Sequence, residues 1–170
     1  MKLLKLNPTE VAIARELGRL RDEHQEQRNR EQGKKPFVVA NPNHTQRQIN
    51  EYGAGGELAI AKYYNCYPDF SYGLDHAGYD LILPTTHQKI DVKVSLDNYK
   101  NVAVPKMKAR FVDQCDVYIF LKAVFNGKDF PGYEVQGYAE PREIFKPEYI
   151  RDDIKLAAYL YPIHKLNKLR

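Results

Sequence analysis

The segment Gly78–Ser95, GYDLILPTTHQKIDVKVS, decides how this chain is read. Two apolar runs, Tyr79–Leu83 and Lys89–Val94, flank Pro84-Thr85-Thr86-His87, a length common in hairpin loops. A four-residue turn pairs Leu83 with Gln88, Ile82 with Lys89 and Leu81 with Ile90, and it sets Asp80 opposite Asp91. Side chains alternate along a strand, so Leu81, Leu83, Ile90, Val92 and Val94 share one face while Asp80, Asp91, Lys93 and Ser95 share the other. Like charges directly opposed, with Cβ atoms about 5 Å apart, destabilise a sheet. Two readings stand side by side. One is a solvated strand face on which Lys93 pairs with Asp91 or Asp80. The other is a seat for a cation, because carboxylate oxygens are hard ligands and Mg²⁺ takes one or two of them while keeping places for water and phosphate. Lys93 points the same way as Asp91, where an ammonium orients a water and offsets phosphate charge.

Upstream of this segment the pattern is helical. Asn7-Pro8-Thr9-Glu10 carries a cap, a proline at the first helical position and the acid of a capping box, followed by Ile13, Leu17 and Leu20 at helical spacing. From Arg21 to Lys35 the apolar stripe gives way to RDEHQEQRNREQGKK, which predicts a solvated helix end stopping near Gly33 and a flexible segment after it. KPFVVANPNH, residues 35–44, reads as a connector closed by an Asn-Pro-Asn turn. A second helix is expected over about Thr45–Tyr64. Its middle holds Gly53, Gly55 and Gly56 beside Glu57, and each glycine costs a helix interior up to about 1 kcal/mol against alanine. That cost implies close approach to the backbone, either by a packed sheet or by a substrate lying beside Glu57.

Downstream, the runs at 101–104, 116–125 and 133–139 are rich in valine, isoleucine and tyrosine and predict strands. PKMKARFVDQ between the first two predicts a short helix opened by Pro105. In the tail, PREIF and IKLAAYL read as peripheral helical pieces. The order helix, three strands, helix, strand belongs to a mixed α/β domain rather than a doubly wound parallel sheet. A single domain is expected over 1–170, with a core at 45–140 between an N-terminal helix and connector (1–44) and a helical tail (141–170).

The composition narrows the function class only modestly. The chain has 170 residues, 43% hydrophobic and 28% charged, with a net charge of +4 and a pI near 8.9. This mildly basic balance suits a polyanionic partner and many other proteins equally well. Cys66 and Cys115 show no paired spacing, so neither a disulfide framework nor a zinc ribbon is indicated. The basic start MKLLKLNPTE is too short for a signal-peptide core and the VYIFL run too short for a membrane span, so an intracellular, soluble protein is expected. The five histidines lack metal-ligand spacing; His76 is placed in a loop near the acids and His87 on the turn, away from them.

Glu57 on a helix, Asp80 23 residues later, and Asp91-Val92-Lys93 another 11 on together resemble the PD-(D/E)XK nuclease superfamily over about residues 45–125. The resemblance implies a restriction-endonuclease-like core, a central mixed β-sheet flanked by helices in the order αβββαβ, with 133–139 as an added strand. It assigns Asp80 and Asp91, with the Val92 carbonyl, to Mg²⁺ or Mn²⁺. Lys93 becomes the residue positioning the attacking water, and Glu57 a ligand of a second metal or of a metal-bound water. Tyr79 stands where the family name has proline.

Lys106, Lys108 and Arg110 are candidates for contacts to DNA phosphates, with Lys106 and Arg110 sharing a face if the segment is helical; a solvated helix face explains them as well. Gln114 is a secondary candidate. The expected function is metal-dependent hydrolysis of phosphodiester bonds in DNA, by an endonuclease working alone or as a homodimer. A non-catalytic nucleic-acid-binding module on the same fold is the alternative. An enzyme of small phosphorylated substrates is a weaker third, since no GxxxxGK[ST] loop is present.

Overall fold

Both expected helices begin where their caps require. The computed structural model describes residues 3–33, 43–71, 78–127, 129–154 and 157–169. Helix α1 spans Pro8–Glu31, with the Asn7 side chain accepting the Glu10 N–H at 2.9 Å and Glu10 accepting the Asn7 N–H at 2.6 Å. Helix α2 spans Gln46–Tyr64, with Thr45 and Gln48 forming the same reciprocal box, and it ends at Asn65 in the left-handed region. The connector at 34–42 and the loop at 72–77, which contains His76, lie outside the described residues.

The two helices pack on each other at Gly18, where a Cβ would sit 2.5 Å from the Glu51 backbone nitrogen. The middle of α2, Ala54 to Ala61, is buried throughout. A Cβ on Gly55 would strike Tyr133 and Phe130, one on Gly56 would strike Val94 and Leu121, and Gly53 faces open space. Two of the three glycines, Gly55 and Gly56, thus serve close packing.

The main sheet is mixed and five-stranded, in the order β1-β6-β5-β3-β2. Its strands are β1 (Leu3–Leu4), β2 (Leu81–Ile82), β3 (Lys89–Ser95), β5 (Val117–Val124) and β6 (Gly132–Ala139). β3 runs parallel to β5, and the other neighbours are antiparallel. The face carrying Ile90, Val92, Ile119 and Leu121 packs on Ala59 and Ile60 of α2. The opposite face carries Tyr118 and Phe120 and is covered by a second, three-stranded antiparallel sheet of β4 (Asn101–Pro105), β8 (Ala158–Pro162) and β7 (Ile150–Arg151) in the order β4-β8-β7.

Three sequence expectations change here. The third strand of the expected core, β4, leaves the main sheet and joins the second one through β8. Among the described residues of the tail, α-helix is confined to the short α3 (Pro141–Ile144), with 3-10 turns at Pro147–Tyr149 and Ile163–Lys165; of the IKLAAYL stretch, residues 155 and 156 lie outside the described ones and Ala158 opens β8, whose Tyr159 and Tyr161 are buried between the sheets. Its AYLYP run has the period-2 burial of a strand, and each edge of β8 is taken by β4 or β7. Lys106–Gln114 is a 3-10 segment rather than an α-helix, with Pro105 closing β4 just before it. At about three residues per turn, Lys106 and Arg110 no longer share a face. No helix among the described residues is long and apolar enough to cross a membrane.

Candidate active site

The turn Pro84–His87 closes the hairpin as the spacing requires. Leu81 pairs with Ile90 and Ile82 with Lys89, Leu83 N donates to Gln88 O at 2.9 Å, and His87 takes the left-handed conformation the turn needs. The strand pairing stops at Leu81 and Ile90 and does not extend to Asp80 and Asp91 as the count predicts. There the ladder changes character: Asp80 N donates to Ile90 O at 2.7 Å, and Asp80 Oδ2 accepts the Val92 N–H at 2.6 Å. The aspartate side chain thus ties the end of β2 to the middle of β3, and Gly78 leads into it at φ +84° with Gln114 packed close against it.

The polar face of this hairpin is not an open, solvated one. Asp91 is 0% exposed, beneath the 3-10 segment and beside Tyr118 and Cys115. Both of its oxygens are met by ammonium groups: Lys93 contacts Oδ1, and Lys108 donates to Oδ2 at 2.7 Å. Burial works against charge on Asp91, but Lys93 and Lys108 overcome it and hold its carboxyl below the usual aspartate range. Asp80 behaves oppositely. Burial, then the charges of Glu57 and Asp91, push its carboxyl well above the usual range, with Lys93 and the Val92 N–H opposing too weakly to reverse this. Lys93 is held firmly cationic, because Asp91 and Asp80 outweigh its own burial.

Glu57 reaches the same place from the buried middle of α2. Arg21 of α1 grips it in a two-pronged ion pair, Nη1 to Oε1 and Nη2 to Oε2, both at 2.7 Å. Burial opposes the charge on Arg21, and Glu57 restores it and holds the guanidinium above its usual value. The burial of the thiol of Cys115, with Asp91 close by, pushes that group up to about 12 and keeps it a neutral packing residue.

These groups line a cleft of about 400 Å³ in which Glu57, Asp80, Val92 and Lys93 face Lys108 and the C-terminal half of α1. The hairpin and helix residues expected at one site therefore do converge. The basic cluster does not stay together: Lys108 joins the acids, Lys106 pairs with Asp152 at 2.8 Å, and Arg110 is exposed without lining the cleft. One whole wall, made of Arg21, His24, Gln25, Arg28 and Asn29, comes from the charged stretch that the sequence places at a solvated helix end. Residues 21, 25 and 28 recur at i, i+4 and i+7, which puts them on one side of α1 without telling which side faces the site.

Among the described residues no group of three or more His, Cys, Asp or Glu side chains is arranged around one metal position. No family model matches the chain, and neither do any curated proteins or solved structures.

Proposed function

We propose that this chain is a Mg²⁺- or Mn²⁺-dependent nuclease with a restriction-endonuclease-like core, hydrolysing phosphodiester bonds in DNA at the cleft around Asp80, Asp91 and Lys93. The observation that carries the reading is the state of Asp80: a buried acid tied to Val92 of β3, close enough to Asp91 and Glu57 for the charge of each to disfavour its own. Such crowding costs stability unless a cation offsets it, and the donors at hand are hard oxygens of the kind that bind Mg²⁺ or Mn²⁺. Asp80 and Asp91 would hold the ion, with the Val92 carbonyl beside them and Glu57 supporting from α2. When bound, it would supply Lewis-acid stabilisation of the phosphate and a more acidic water.

The remaining chemistry belongs to the chain. Lys93, fixed in its cationic state, donates to the attacking water and orients it toward phosphorus; a base at this position would require the neutral amine that its neighbours disfavour. Lys108, one-fifth exposed and facing the cleft, offsets charge on the phosphate oxygens as the bond to the leaving oxygen breaks. Arg21 fixes the position of Glu57 beside the site through their two-pronged ion pair. The cleft lining brings four permanent cations, Arg21, Arg28, Lys93 and Lys108, against Glu57 and Asp80, with Asp91 beneath, which favours a polyanion over a neutral substrate.

One observation favours the non-catalytic nucleic-acid-binding alternative: Asp91 and Glu57 are each satisfied by basic side chains alone. The two readings separate on metal-dependent cleavage. The nuclease reading expects plasmid and single-stranded DNA to be cut with Mg²⁺, to stay intact with EDTA, and to be cut at least about 100-fold more slowly by Lys93→Gln. Intact DNA in every wild-type reaction contradicts it.

A further inference from the structure

We infer that the cleft takes a single DNA strand rather than a duplex, and that Arg28, helped by Gln25, grips that strand from α1. The inference rests on the DNA-nuclease reading and adds to it a substrate class and a binding surface. Its first support is how α1 sorts its charges. The sequence from Glu16 to Glu31 interleaves acids and bases, but none of its five acids lines the cleft: Glu16 and Glu23 pair with Arg19, Glu26 with Arg30, Glu31 accepts from Gln27, and Asp22 lies outside the lining. The row turned to the cleft contains only Arg21, His24, Gln25, Arg28 and Asn29. A helix that was merely solvated would have no cause to clear one row of acids.

Within that row Arg28 differs from the other cleft cations. Arg21 is held by Glu57, and Lys93 and Lys108 are held by Asp91, whereas the Arg28 guanidinium has no acidic partner among the described residues. It lies seven residues beyond Arg21, on nearly the same side of the helix and about 10 Å further along the axis. That offset puts it past the phosphate that would meet Asp80 and Lys93, in position for a neighbouring phosphate of the same strand. Gln25 lies between the two arginines, with both a donor and an acceptor to offer a sugar or base edge.

The depth of the acids argues for one strand. Asp91 is wholly buried and Asp80 is 5% exposed, on the floor of a cleft walled by α1 on one side and by the 3-10 segment carrying Lys108 on the other. A volume of about 400 Å³ is of the size that holds a drug-sized molecule, hence about one nucleotide at a time. A duplex presents its phosphates on the outside of a stiff rod and must be bent or opened to lower one between two walls. A single strand threads between them, its backbone tracked by basic and amide side chains.

The test is equilibrium binding in EDTA, by fluorescence anisotropy, of a labelled single-stranded 20-mer and of the same sequence as a blunt duplex, across a salt series. The expected result is single-strand binding at least about 10-fold tighter, with Arg28→Gln weakening it several-fold and making the log–log salt dependence shallower by about 0.7, as for one lost phosphate contact. Arg28→Lys should keep the slope. Duplex binding as tight as single-strand binding, no binding to either, or an unchanged slope in Arg28→Gln overturns the inference. Adding Mg²⁺ separates the two claims: strand preference without cleavage supports this inference and defeats the nuclease reading alone.

Discussion

At the scale of the residue, Asp80 is where function and stability oppose each other. Its carboxyl is buried, lies near Asp91 and Glu57, and sits well above the ordinary value of 3.8, so the native state binds a proton more tightly than the unfolded chain. Stability therefore falls as pH rises from about 4 toward the raised native value, because the unfolded chain then gains more from ionising. Asp80→Asn removes that penalty and keeps an acceptor for the Val92 N–H. In EDTA its Tm should match the wild type near pH 4 and exceed it near pH 8, by about 0.5–2 kcal/mol, or about 2–4 °C for each kcal/mol. Equal melting at both pH values would show that the acids are not crowded. Asp91 is the opposite case, since Asp91→Ala strands the ammonium groups of Lys93 and Lys108 and should cost about 3–5 kcal/mol.

At the scale of the element, α1 positions a wall of the site only because Gly18 lets it lie directly on α2. Gly18→Val places a side chain against the Glu51 backbone and should cost about 1–3 kcal/mol while loosening DNA binding, because Arg21 and Arg28 move with the helix. Gly53→Ala is the control: its Cβ meets nothing within 4 Å, so thermal melting should show a gain of about 0.5–1 kcal/mol. The two caps and the hairpin register were legible because each is a local rule. Asn7 to Glu10 and Thr45 to Gln48 need only three residues between them, and a four-residue turn fixes which residues of Leu81–Ile90 face each other. The α1 wall was not legible as a site, because an acid–base mixture in sequence reveals which row faces inward only once α2 is seen to fix the helix rotation.

At the scale of the whole molecule, the cleft is a joint product of both sheets. The main sheet brings Asp80, Asp91 and Lys93, while the second sheet holds the 3-10 segment that roofs Asp91 and delivers Lys108. The sequence hid this arrangement, because β4 and β8 pair across more than fifty residues and the IKLAAYL stretch satisfies a helical spacing as readily as a strand. The tail is consequently part of the core that supports the site, with Tyr159 and Tyr161 packed around Tyr118 and Phe120. The most direct test of the central claim is cleavage of supercoiled and single-stranded DNA by wild type and Asp80→Asn, each with Mg²⁺ and with EDTA. The account predicts cutting by the wild type with Mg²⁺ alone, and no cutting by an Asp80→Asn protein that is folded and at least as heat-stable. A wild type that leaves all DNA intact, or an Asp80→Asn variant that cuts as fast, would contradict it.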